Sequence, residues 1–142
     1  MLGIQQMRKA EALVAERRRL ARLYDQALRD FPLVQRLVIP SHVNPAFYKY
    51  VVMLPPGRSR NAVKITMAER FEVMLPGEIY SHPCHSQPVF VRYPDTQVER
   101  PDQRFPVTNN VCARHLCLPL YPGLTDAELD WVVQSLKKVL DG

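Results

Sequence analysis

The feature that most constrains this chain is an apolar stripe running through its first segment. From Gly3 to about residue 30, Met7, Ala10, Leu13, Val14, Leu20, Ala21, Tyr24, Ala27, Leu28 and Phe31 recur at helical steps, and only Arg17 interrupts them. The spacing predicts one long amphipathic helix, stopped at Pro32, whose ring has no place in a helix interior. The pattern is already running at Leu2 and Ile4, with no Ser, Thr, Asp or Asn ahead of it to cap the first turn. The chain is therefore expected to begin inside a longer helix.

The other elements are shorter. A loop through Pro40 and Pro45 leads to Phe47–Leu54, which is aromatic and β-branched and reads as a buried strand. Residues 60–74 read as a helix, with Val63, Met67, Phe71 and Met74 near helical spacing. A proline-rich stretch from Pro76 to Pro106 is expected to be mostly loop, with short strands near Ile79 and Val89–Val91. A short helix is expected over 107–114, and His115–Leu120 reads as a strand. At the end, Thr125 and Glu128 form a capping box, Leu124 and Leu129 a hydrophobic staple, and Leu129, Val132, Val133, Leu136, Val139 and Leu140 a stripe. Lys137 and Lys138 suit the last turn of that helix. This order, without an internal repeat, predicts an α+β fold of helices packed on a small sheet.

Composition narrows the function classes. At 142 residues and 46% hydrophobic, the chain is the size of one domain with a real core. No run is long and apolar enough to span a membrane, and the N-terminus lacks the pattern of a secretory signal. Three cysteines without framework spacing argue against a disulfide-built secreted domain, so the cytoplasm is the expected compartment. Much of the net charge of +5 lies on Arg8, Lys9, Arg17, Arg18, Arg19 and Arg22. No aromatic side chains interleave with them as a single-strand binder would require, so they read as a solvated helix face and no nucleic-acid partner is expected.

Few residues suggest chemistry directly. His82, Cys84 and His85 form one group and Cys112, His115 and Cys117 another, but neither has the spacing of a structural zinc site, and Cys117 reads as core. Cys84 has no Asn or Asp spaced to orient a histidine base for a thiol nucleophile. The five glycines allow no phosphate-cradling loop. Arg58 and Arg60, after the Pro55-Pro56-Gly57 turn, could meet an anion, but exposed loop arginines usually meet only water.

Three stretches carry a resemblance. Gly3, Gln6, Lys9, Arg17, Arg18 and Tyr24 stand where the long helix of the DegT/DnrJ/StrS sugar aminotransferases has Gly, Gln, Lys, an Arg-rich stretch and Tyr. Pro83, His85, Gln87, Pro88 and Phe90 resemble that family's Pro-x-His-x-Gln-Pro-aromatic loop. Leu118, Pro119, Tyr121, Pro122, Leu124 and Thr125 match its Leu-Pro-x-Tyr-Pro turn before a capped final helix. The resemblance covers nearly the whole chain in the right order, most weakly over 32–70.

The resemblance implies the small C-terminal domain, residues 1–142, of a fold type I pyridoxal-phosphate enzyme. Such enzymes act as homodimers and move an amino group from glutamate or glutamine to a keto sugar carried on a nucleotide, in polysaccharide biosynthesis among other routes. The Schiff-base lysine, the acid facing the pyridine nitrogen and the phosphate-binding residues belong to the large domain, ahead of this chain. None of Lys9, Lys49, Lys64, Lys137 and Lys138 matches the lysine motif, so no catalytic residue is carried over, and the chain alone is expected to bind no cofactor and to be inactive. His85 is carried over as a sugar-nucleotide contact, with Tyr80 and His82 beside it. The alternative is a stand-alone, non-catalytic small domain that binds a sugar nucleotide or a separate large-domain chain.

Overall fold

A computed structural model describes residues 2–93, 95 and 105–142. Helix α1 spans Leu2–Ala27, as the stripe predicts. The apolar face of its second half is buried: Leu20, Ala21 and Tyr24, with Leu28 just past its end, are at most 1% exposed, whereas Ile4 and Met7 near its start are 64% and 73% exposed. Arg17 keeps its place in the stripe with a buried Nε, while Arg18 turns back to donate to the carbonyls of Asn44 and Pro45.

Strands β1 (Gln35–Arg36), β2 (Tyr50–Met53) and β3 (His115–Leu118) form one antiparallel sheet in the order β1-β2-β3. Tyr50 pairs with Leu118, and Met53 with His115. Every residue of the central strand β2 and of the edge strand β3 is buried, so both are covered on both faces, in keeping with the apolar run Tyr50–Met53 and the mostly apolar His115–Leu118. β1, two residues long, was expected to be loop; it pairs Gln35 with Met53 and Arg36 with Val52 at the sheet edge. The wider spans expected for the strands, 47–54 and 115–120, shrink to four residues each, because pairing partners, not propensity, set where a ladder ends.

Helix α2 (Arg60–Phe71) is capped by Ser59 and ends in Glu72, whose φ of 57° closes the helix in the left-handed conformation. The short helices α3 (Pro88–Arg92) and α4 (Pro106–Arg114) follow, and then α5 (Asp126–Asp141). The capping box is present in both directions, with the Thr125 side chain on the Glu128 N–H and the Glu128 carboxylate on the Thr125 N–H. Leu124 and Leu129, the staple pair, are both buried. Helix α5 lies between α1 and α2, and its stripe joins Leu20, Tyr24, Val52, Val63, Met67 and Leu116 in a single core. The fold is α+β, as expected.

Two local expectations are corrected. Ile79 lies in no strand, and Val89–Val91 belongs to helix α3. Pro88 occupies the first turn of α3, where its missing N–H costs nothing, and that start signal outweighs the strand preference of the valines. Residues 94 and 96–104 of the proline-rich stretch lie outside the described residues.

Candidate functional site

The loop expected to carry function leaves the core at Leu75 and runs to α3. Its root is tied down by charge. Glu78 receives Lys64 Nζ at 2.8 Å and faces Arg60 Nη2 at 3.6 Å, and the Lys64 hydrogen bond holds the Glu78 carboxyl below the usual carboxylate range. The Glu78 carbonyl accepts from Lys49 Nζ. Arg60 was expected to be a loop arginine meeting solvent. It is largely buried, and its Nη1 donates to the Cys112 carbonyl at 2.7 Å. Arg58 is also spent internally, on the Leu140 carbonyl at 2.8 Å. Both guanidinium groups are thus anchored to backbone carbonyls, although Arg58 remains exposed and Arg60 Nε has no hydrogen-bond partner among the described residues.

Beyond the root, Tyr80 is 69% exposed and lines a cleft of about 560 Å³ together with Tyr48, Lys49, Tyr50, Asp25 and Ile79. Inside the cleft the Tyr50 hydroxyl donates to Asp25 Oδ1 at 2.7 Å, and Arg36 reaches the same oxygen at 3.3 Å. His82 is exposed, with Nδ1 3.1 Å from the Ser81 hydroxyl and its carbonyl accepting from Gln87 Nε2 at 3.3 Å. His85 sits in a single 3₁₀ turn, Cys84–Ser86, begun by Pro83. Its Nε2 lies 2.9 Å from Asn109 Oδ1 on α4, and its ring stacks on Phe105 at 4.8 Å between centroids. The structure thus places the three candidate residues on one loop but not around one cavity. Tyr80 lines the cleft, and His85 turns to α4.

The Asn109 contact fixes the tautomer of His85. A carboxamide oxygen only accepts, so Nε2 carries the proton and Nδ1 of the neutral ring is an acceptor. Among the described residues Nδ1 has no hydrogen-bond partner. The ring therefore offers an acceptor to a hydroxyl or N–H donor, and its donor is already spent.

A second, larger groove of about 810 Å³ runs between Val73–Gly77, Cys117–Tyr121 and α5, with Trp131 and Arg17 in its walls. Arg17, the one charge in the α1 stripe, has a buried Nε with no hydrogen-bond partner among the described residues. Cys117, read as core, is buried in β3, and burial pushes its thiol up from the usual range.

Among the described residues, no lysine has the setting that an aldehyde cofactor requires. Lys64 is paired with Glu78, Lys49 with the Glu78 carbonyl, and Lys137 with the Ala27 carbonyl, while Lys138 lies over Phe71 and Trp131 and Lys9 is exposed on α1. A Schiff-base amine needs a free nitrogen in a pocket beside a phosphate cradle, and among the described residues no lysine is seen beside one.

Sequence reasoning missed Glu78 and Asn109, and it named His115 and Arg60 without finding their partners. His115 was grouped only with Cys112 and Cys117, although a histidine within an apolar strand is itself a sign of a buried polar hub. Its partners, at Ile79 and Val111, come from separate elements that no spacing reveals.

Comparison with known proteins completes the picture. A model of the DegT/DnrJ/EryC1/StrS aminotransferase family matches residues 1–137. A dTDP-4-dehydro-2,3,6-trideoxy-D-glucose 4-aminotransferase of Saccharopolyspora spinosa is 30% identical over 146 aligned residues, which cover 99% of this chain and 33% of that protein. The spore coat polysaccharide biosynthesis protein SpsC of Bacillus subtilis is 22% identical, over 99% of this chain and 36% of its own length. Among solved structures, the aminotransferase TlmJ of Streptoalloteichus hindustanus superposes with a TM-score of 0.81 at 23% identity, covering 99% of this chain and 35% of that one. A Streptococcus pneumoniae protein described as a sugar aminotransferase, in its PLP form, gives 0.78 at 19% identity, over 99% and 34%. The chain spans about a third of the length of the relatives it matches. Over residues 1–137, then, the match is to a single family, and this chain belongs to the DegT/DnrJ/EryC1/StrS aminotransferases.

Proposed function

We propose that the chain is the C-terminal small domain of a cytoplasmic pyridoxal-phosphate-dependent aminotransferase. The complete enzyme would work as a homodimer and transfer an amino group from glutamate or glutamine to a keto sugar linked to a nucleotide. The observation that carries this reading is the end-to-end match of the chain to one third of its relatives, one of which is named as acting on a dTDP-linked keto sugar. The cofactor would supply the electron sink, held by segments other than this chain. Two surfaces support a large-domain neighbour: the exposed Ile4 and Met7 on α1, and the groove in which Arg17 Nε lacks an acceptor among the described residues.

Within the domain, the loop bearing Tyr80, His82 and His85 contributes to the sugar-nucleotide pocket. The acceptor at His85 Nδ1, without a partner among the described residues, suits a sugar hydroxyl or a base N–H better than a phosphate oxygen, which donates nothing when ionised. The Pro83 start of the 3₁₀ turn, the Asn109 bond and the Phe105 stack keep the ring from swinging. In the complete enzyme, His85→Ala should raise KM for the sugar nucleotide roughly tenfold, as expected for one lost hydrogen bond, and leave the donor half-reaction intact. A lower melting temperature with unchanged KM would assign His85 to bracing its loop and nothing more.

A further inference from the structure

His115 and Ser135 are the buried polar side chains among the described residues, and His115 is 1% exposed. An imidazole in such a place is costly unless both nitrogens are paired. Both are. The Ile79 N–H donates to Nε2 at 3.1 Å, so Nε2 is an acceptor. The proton then sits on Nδ1 and is donated to the Val111 carbonyl at 3.0 Å. In this tautomer Arg60 Nη1, 3.3 Å from Nδ1, is a neighbouring donor whose hydrogen goes to the Cys112 carbonyl.

The two groups that His115 joins are the root of the candidate loop and the last turn of α4. The same two elements meet again where His85 donates to Asn109. The path closes on itself: from His85 to Asn109, along α4 to Val111, across His115 to Ile79, and along the loop back to His85. The α4 side of the ring is anchored in turn by Arg114, whose Nε donates to the Leu54 carbonyl at 2.7 Å and whose carbonyl accepts from the Leu54 N–H at 2.9 Å.

We infer that His115 is a positioning residue for the sugar-nucleotide loop: it pins Ile79 to α4 and so holds Tyr80, His82 and His85 in one arrangement. This rests on the functional reading of that loop given above. A pinned loop has less conformational freedom to lose when a ligand engages it, so the pin acts on ligand affinity without touching the ligand.

The test compares two amide replacements in the complete aminotransferase. Glutamine can set its amide oxygen near the Nε2 position and keep accepting from Ile79; asparagine is too short and keeps only the Val111 side. His115→Asn should raise KM for the sugar nucleotide roughly tenfold with the donor half-reaction unchanged, while His115→Gln stays within about twofold of the parent. In a His85→Ala background, His115→Asn should add little, since the pinned contact is already gone. If His85→Ala raises KM but His115→Asn does not, the inference is overturned and the reading of His85 stands; if the two effects add and His115→Gln restores KM, the pin acts through Tyr80 or His82. If His85→Ala is silent while His115→Asn raises KM and His115→Gln restores it, the pin acts through Tyr80 or His82, and only the His85 assignment fails. If neither changes KM, both fall. Hydrogen exchange on the unmodified enzyme needs no variant: the Ile79 amide should exchange roughly a hundredfold more slowly than those of Tyr80 and Ser81. An unprotected Ile79 would overturn the inference by itself.

Discussion

Tyr24 ties the first recognisable segment of the chain to the last, and Tyr24→Phe measures that tie. The ring is fully buried and stacks on Tyr50 at 4.7 Å between centroids, while the hydroxyl donates to the Pro119 carbonyl at 2.8 Å, 95 residues away. Phenylalanine keeps the stack and the packed volume and removes only the donor, leaving a carbonyl without its partner. A lost buried hydrogen bond of this kind costs about 1–2 kcal/mol, mostly the desolvation of the abandoned group. For a domain of this size that is a melting shift of roughly 3–6 °C. Tyr24→Ala also empties the ring site and should cost about 3–5 kcal/mol. The pH dependence gives a second reading. Burial raises the Tyr24 hydroxyl above its ordinary value of 10.0, and Tyr50 is raised for the same reason and by its bond to Asp25. A raised folded-state value means the stabilisation is complete below about pH 10 and is lost as pH climbs toward the folded value. The deficit of Tyr24→Phe should therefore shrink above pH 10, where the parent loses stability that the variant never had. Urea unfolding followed by circular dichroism at pH 7 and pH 10.5 measures both. A Tyr24→Phe deficit under about 0.3 kcal/mol at pH 7, or one that widens in alkali, would refute the reasoning.

Three further outcomes are expected. Borohydride reduction of the chain mixed with pyridoxal phosphate should yield only scattered low-level labelling by mass spectrometry; one stoichiometric lysine adduct would show that the domain holds a cofactor amine after all. Thr125→Ala removes the α5 cap and should lower stability by about 1 kcal/mol in denaturant unfolding, with Thr125→Ser close to the parent. Glu78, held low by Lys64, contributes stability above its ordinary value of 4.5 that is lost as pH falls through the folded value, so Glu78→Gln should flatten the acid limb of the stability profile below about pH 4.5; an unchanged acid limb would mean that the Lys64 and Arg60 contacts do not persist in solution.

The elements legible in the sequence are those whose instructions are local. The α1 stripe repeats over many turns, and the α5 start is written within four residues, from Thr125 to Glu128, so both helices emerge where the pattern puts them. The family motifs are also local strings, which is why the loop bearing His85 could be singled out before its surroundings were known. The tertiary structure decided what those strings meet. Helix α3 replaced the strand expected at Val89–Val91 because a short apolar run satisfies either period and Pro88 tips the balance. Arg60 reads as a solvated loop residue until the chain closes 52 residues later and sets the Cys112 carbonyl before it. His115 and Ile79, 36 residues apart, and His85 and Asn109, 24 apart, become partners only when α4 and the loop settle against the sheet. A periodic pattern tells which face of a segment avoids water; it carries no record of which distant backbone group waits on the other side, and in this domain those long-range pairings govern the candidate site.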